Sequence, residues 1–232
     1  MEKQKYTAIV LAAGSGKRMN SKVHKQYLII QNRPVLYYSL KAFEDSAVDE
    51  IVLVVGKGEE KFCRKEIVDK YGISKVKAIV EGGKERYHSV FEGLKQTSDA
   101  DYVLIHDGAR PFVNQDIIRR CMQEVQKYQA CVVGMPVKDT IKIADEEGYA
   151  KQTPDRKNVW MIQTPQTFSY ALIYEAYEEM LKTEDTAITD DAMVLERIKG
   201  KKSKLIEGSY RNIKITTPED LLIANVYLQH PE

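Results

Sequence analysis

The chain lacks any apolar run approaching the ~20 residues that a bilayer-spanning helix needs. Net charge is almost absent too. Lys and Arg total 35 and Asp and Glu total 34, a formal +1, which excludes the strongly basic balance of a nucleic-acid or acidic-membrane binder. Its three cysteines (Cys63, Cys121 and Cys131) are odd in number, and no two have metal-ligand or redox spacing. That excludes a disulfide framework and predicts reduced, partly buried thiols. Met1-Glu2-Lys3-Gln4-Lys5 runs straight into a strand pattern, with no secretory apolar segment. The expectation is therefore a cytoplasmic protein. There is no internal repeat, low-complexity segment or Pro/Gly/Ser linker, so residues 1–232 read as one domain.

What is present is alternation. Thr7–Leu11, Ile51–Val55, Val76–Val80, Tyr102–His106 and Cys131–Met135 are short apolar runs of the kind found in buried parallel strands. Amphipathic stretches lie between them. Leu36, Leu40 and Phe43 share one helical face, with Pro34 suited to the first turn. Tyr87, Val90, Phe91 and Leu94 share another face. Ile117, Cys121, Val125 and Tyr128 form a third, and Leu172, Ile173, Ala176, Tyr177, Met180 and Leu181 a fourth. Thr217 caps a last helix, with Pro218 in its first turn. The fold class is α/β: a mostly parallel sheet flanked by helices. The rhythm breaks at Asp139–Ala144, Asp145–Gly148 and Tyr149–Gln152, a strand, turn and strand predicting an inserted β-hairpin arm at about 138–157. Such a hairpin is marginal alone and is expected to lie on a second subunit.

The first strand leads into Ala12-Ala13-Gly14-Ser15-Gly16-Lys17-Arg18-Met19. Small residues let backbone N–H groups approach phosphates, and Lys17, Arg18 and the nearby Lys25 add positive charge. This is neither a P-loop, since Arg18 follows Gly16-Lys17 and Leu11 replaces the first glycine, nor a dinucleotide fingerprint, since Met19 takes the third small position. No Ser/His/Asp or Cys/His order points to a covalent nucleophile. Lys199, Lys201, Lys202 and Lys204 read as a solvated turn, and His88 and His106 as structural.

Taken in order, the first loop with Lys25-Gln26, then Gly82-Gly83-Lys84-Glu85-Arg86 … Ser89-Val90, His106-Asp107-Gly108-Ala109-Arg110-Pro111, Asp139-Thr140, Asp155-Arg156, Gln163-Thr164-Pro165-Gln166-Thr167-Phe168, Thr189-Asp190-Asp191 and Asn212–Thr216 resemble the sugar-phosphate nucleotidylyltransferases. Within these, they resemble the 2-C-methyl-D-erythritol 4-phosphate cytidylyltransferases over almost the whole chain. The ribitol-5-phosphate cytidylyltransferases share the fold and are the alternative. Gly108-Ala109 favours the former, because the ribitol enzymes tend to carry Ser-Val or Ala-Val there. A non-catalytic nucleotide sensor is the alternative of another class, disfavoured by the presence of Arg18 and Lys25. The family often has proline where this chain has His24, and proline would stiffen the loop.

The resemblance implies a Rossmann-like sheet, CTP and a small polyol phosphate as ligands, Mg²⁺ as cofactor, and a homodimer through the arm. It implies catalytic Arg18 and Lys25. Ala12, Ala13, Gly14, Ser15, Gly16, Gly82, Gly83, Arg86, Ser89, Asp107 and Gly108 would hold the nucleotide. Arg110, Thr140, Arg156, Thr164, Thr189 and Lys214 would surround the acceptor phosphate. Asp107 suits either the ribose or the metal, and the direct metal ligands stay open. Arg211 precedes Asn212 where some members carry an acid.

Overall fold

A computed structural model describes residues 3–14, 19, 23–183 and 187–230. Ser15, Gly16, Lys17 and Arg18 lie outside the described residues. The five apolar runs are strands, each extended by a residue or two: β1 (Tyr6–Ala12), β4 (Glu50–Val55), β5 (Val76–Glu81), β6 (Tyr102–Asp107) and β7 (Ala130–Pro136). Two short strands, β2 (Ile29–Ile30) and β3 (Arg33–Pro34), form a separate ribbon. Pro34 thus ends a strand and precedes α1 (Val35–Glu44), one position earlier than expected. Its missing N–H is no loss there.

Among the described residues the main sheet has seven strands in the order β11-β7-β10-β6-β1-β4-β5, where β10 is Trp160–Ser169 and β11 is Lys204–Glu207. All neighbours are parallel except β10, which runs antiparallel to both β6 and β7. The chain leaves β1 towards β4 and β5, then crosses back to place β6 on the other side. That reversal is where open α/β sheets leave a crevice beyond the carboxyl ends of their strands.

Alternation along β1 feeds two cores. Ala8, Val10 and Ala12 face Leu36, Leu40 and Phe43 of α1 and Ile117, Cys121 and Val125 of α4 (Gln115–Tyr128). Ile9 faces Val90 and Leu94 of α3 (Arg86–Leu94) and Ile173, Ala176, Tyr177 and Met180 of α5 (Tyr170–Met180). Tyr128, expected on the apolar face of α4, is exposed instead. The helix ends at Gln129, which is left-handed at φ 62°, and the Tyr128 ring sits under the Lys204 ammonium. A four-residue helix α2 (Glu60–Cys63) continues into wider turns over Arg64–Asp69. All three thiols are fully buried and free, deeper than expected.

The lysine run is divided between elements. Lys199 closes α6 (Asp191–Lys199) and pairs with Glu179 at 2.6 Å, Gly200 ends the helix at φ 60°, and Lys204 opens the edge strand β11. Lysine on an edge discourages pairing with other chains. The expected cap at Thr217 is present. It opens α7 (Pro218–Gln229), with the Asp220 carboxylate accepting from the Thr217 N–H at 2.8 Å. The hairpin is real but shorter than expected: β8 (Ile143–Ala144) pairs with β9 (Ala150–Gln152). Asp145 Oδ1 ties its turn by accepting from the N–H groups of Glu147 and Tyr149.

Candidate active site

Three loops meet at the carboxyl ends of β1, β5 and β6. The first contains Ala13 and Gly14 and is braced by Gln26, whose buried amide donates to the carbonyl of Ala12. The second is Gly82-Gly83. A Cβ at Gly82 would come within 2.6 Å of both the Ala13 methyl and Ser89 Oγ. Only glycine lets the β5 loop lie against the β1 loop. The Gly83 N–H donates to Ser89 Oγ at 3.1 Å, and His88 Nδ1 accepts from the Glu85 N–H to cap α3. The third loop begins at Asp107, where the Gly108 N–H donates to Leu11 O at 2.8 Å. Together they enclose a cleft of about 320 Å³, with Lys25, Lys84, Arg86 and Lys214 on its walls.

Asp107 is the electrostatic centre. Lys214 Nζ donates to Oδ2 at 2.7 Å, Arg86 Nε donates to Oδ1 at 3.3 Å, and Arg110 Nε lies 3.8 Å from Oδ2. Burial alone would raise the pKa of this carboxyl. The three cations outweigh burial and hold it well below the usual carboxylate range. Behind it runs a buried relay. The Asp107 N–H donates to Thr164 Oγ1 (3.1 Å), the Thr164 hydroxyl donates to His106 Nδ1 (3.0 Å), and His106 Nε2 donates to Arg110 O (3.1 Å). The carbonyl acceptor assigns the proton to Nε2. Both ends of the turn carrying Asp107 and Arg110 are thereby fixed.

Burial, outweighing the attraction of Asp107, pushes the His106 pKa down to about 4 from 6.5. The unfolded state therefore takes up the extra proton between these values. This contribution is complete above about pH 6.5, is lost as pH falls towards 4, and amounts to about 3 kcal/mol. Urea titrations at pH 7 and pH 4.5 should show that loss, and His106→Asn should flatten this part of the slope. An unchanged slope in the variant would contradict the assignment.

The cleft brings together Ala13, Gly14, Lys25, Gly83, Arg86, Ser89, Asp107 and Lys214. Ala12, Gly82, Gly108 and Thr164 form its backing. Arg110 is held against Asn212 O at 2.8 Å. Thr140 and Arg156 sit on the exposed arm, with Arg156 Nη1 donating to Lys138 O, and Thr189 lines a separate depression beside Met193 and Leu205. None of these three lines the cleft.

Sequence reasoning missed the support given by Gln26, Gln166, Tyr177 and Asp191. Gln26 and Gln166 were visible within quoted motifs, but nothing in their spacing marks a buried partner. Among the described residues no group of three His, Cys, Asp or Glu side chains is arranged to hold a metal. Both oxygens of Asp107 are already engaged by cations, so these residues do not fit a protein cage for Mg²⁺.

A glycine loop beside a cation-ringed carboxylate at the switch point of an open α/β sheet marks a nucleotide-binding α/β protein. Comparison with known proteins resolves the family. The family model described as IspD: 2-C-methyl-D-erythritol 4-phosphate cytidylyltransferase matches residues 6–230, and the chain belongs to this family. Proteins of that name from Lachnospira eligens and Lachnoclostridium phytofermentans are 54% and 50% identical to it. The first alignment covers 96% of this chain and 99% of the relative, and the second covers 97% of each. The crystal structure of 4-diphosphocytidyl-2C-methyl-D-erythritol synthase from Anaerococcus prevotii superposes with a TM-score of 0.86 at 38% identity, covering 98% of this chain and 97% of the other. The Thermus thermophilus 2-C-methyl-D-erythritol 4-phosphate cytidylyltransferase gives a TM-score of 0.77 at 30% identity, covering 95% and 98%. The chain is a cytidylyltransferase.

Proposed function

We propose that the cleft between the β1, β5 and β6 loops is where this enzyme transfers the cytidylyl group of CTP to 2-C-methyl-D-erythritol 4-phosphate, in isoprenoid precursor synthesis. The observation that carries the assignment of the site is Asp107 at the tip of β6, ringed by Arg86, Arg110 and Lys214 and sharing its cleft with Lys25, Ala13 and Gly14. An oxygen of the acceptor phosphate attacks the α-phosphorus of CTP. The bond from that phosphorus to the oxygen bridging to the β-phosphate breaks, and pyrophosphate carries away the electron pair. Both reactants are anions, so the work of the site is alignment and charge stabilisation. Lys25, with Arg18, is assigned to the charge on the reacting phosphate. Gly83 and Ser89 form the wall that faces the base, and Asp107 and Lys214 divide between ribose and phosphate.

Mg²⁺ is proposed to enter with the triphosphate, whose oxygens suit a cation that takes few protein ligands. The arm is proposed to cover a second copy of the chain, delivering Thr140 and Arg156 to the partner's cleft. Its exposed Ile143 and Tyr149, with Met161 and Ile162 at its root, support this reading. No helix of the described residues is long and apolar enough to cross a membrane, and buried free thiols suit the cytoplasm.

The test is pyrophosphate release with CTP and Mg²⁺, comparing methylerythritol phosphate with ribitol phosphate. Release with the former at a kcat/KM at least about 100-fold higher is expected, and preference for the pentitol phosphate would refute the acceptor. Light scattering should give twice the chain mass, and a fully active monomer would remove the shared site.

A further inference from the structure

Arg86, on the wall of the cleft, is tied to a buried polar network. Arg86 donates from Nη1 to Asp191 Oδ1 at 2.8 Å and from Nη2 to Asp191 Oδ2 at 2.9 Å, a bidentate fork. Its remaining Nε reaches Asp107. Asp191 is wholly buried in the first turn of α6, and its Oδ1 also accepts from the Tyr177 hydroxyl at 2.6 Å. Tyr177, on α5, is itself fully buried. Gln166 fixes the same turn. Its Oε1 accepts from the N–H groups of Asp191 and Ala192 at 3.0 and 2.9 Å, and its amide donates to Asp190 at 3.0 Å. Burial raises the Tyr177 pKa well above its usual value, so the phenol stays a donor. Burial would also discharge Arg86, but the two carboxylates outweigh it and keep the guanidinium charged.

This arrangement has a mechanical meaning. Two of the three nitrogens of Arg86 are engaged on the side away from the cleft, leaving one nitrogen to hold Asp107. A guanidinium without that anchor would turn its fork onto Asp107 and pull the carboxylate from Lys214. We propose that Asp191 and Tyr177 are positioning residues for nucleotide binding, clamping Arg86 so that Asp107 is presented to CTP in one orientation. The inference rests on the assignment of CTP to this cleft.

Steady-state kinetics with CTP varied, on enzyme whose folded fraction is set by its melting curve, provides the test. Tyr177→Phe keeps the packed ring and removes one hydrogen bond. It should raise KM for CTP about 5- to 10-fold, with kcat within about twofold and the acceptor KM unchanged. Asp191→Asn should raise the CTP KM further, and it serves as the readout if Tyr177→Phe does not fold. In an Arg86→Lys background, which has no fork, Tyr177→Phe should add nothing. Full additivity there, or a lowered kcat with unaltered CTP KM, would mean a merely structural role and overturn the proposal. Asp107→Ala separates the two readings. If it leaves the CTP KM at the wild-type value, the cleft assignment falls and the clamp with it. If it raises KM while Tyr177→Phe and Asp191→Asn do not, the clamp alone is refuted.

Discussion

Lys25→Ala is expected to lower kcat by about 10²- to 10³-fold while the dissociation constant for CTP rises less than tenfold. Lys25 follows His24 in a short helical turn, Lys25–Tyr27, and lines the same cleft as Asp107. The residues that follow it are anchored. Gln26 is tied to Ala12 O, and Tyr27 donates to Glu59 at 2.7 Å. An ammonium fixed beside a loop of N–H groups is worth most where negative charge grows, as the bond to pyrophosphate lengthens. Single-turnover pyrophosphate release and equilibrium CTP binding separate the two effects. Wild-type turnover in the variant would contradict the role, as would a loss confined to binding. Arg18→Ala should behave in the same way.

Phe43→Ala should destabilise the fold by about 3–5 kcal/mol, a large share of the roughly 5–15 kcal/mol typical of a whole domain. Phe43 is fully buried at the end of α1, and its ring meets the His106 ring edge-on with centroids 5.2 Å apart. Removing it leaves a void under the relay that fixes Asp107 and Arg110. The urea midpoint should fall at constant slope, and activity should drop further than the folded fraction explains. Phe43→Leu, which refills most of the volume, should recover more than half of the stability. A loss below about 1 kcal/mol in Phe43→Ala would show that the site does not lean on this contact.

Strands β1, β4, β6 and β7 were legible because each is buried on both faces and reads as an apolar run. The edge strand β5 kept its apolar run although only partly buried, and the short, mostly exposed edge strand β11 was not legible. The helices on α1, α3, α4 and α5 were legible for the complementary reason, a stripe against one face of the sheet. Strand β10 was not. Its middle reads Gln163-Thr164-Pro165-Gln166-Thr167, polar residues around a proline, which argues against a central strand. In the fold Gln163, Thr164 and Gln166 are buried yet hydrogen-bonded. Gln163 donates to Ser209 O, Thr164 joins the His106 relay, and Gln166 fixes the start of α6. The ladder with β7 breaks between Ile162 and Gln166, where Pro165 needs no partner. The residues that disguise the strand are those that support the site. The glycine loops and Asp107 were legible as motifs. The Arg86–Asp191 fork was not, because a carboxylate in a helix's first turn usually needs only the helix to explain it.

The reversed direction of β10 also decides where the arm grows. Trp160 pairs with Pro136, and the Val137 N–H donates to Val159 O at 3.0 Å, so both legs of the hairpin are joined at the end of β7. Strand β7 points the same way as β6 and β1, whose tips carry Asp107 and Ala12. Chemistry and outreach therefore share one rim of the molecule, leaving the opposite rim free of both. A second copy covering the arm would therefore approach the sheet from the same end as the crevice.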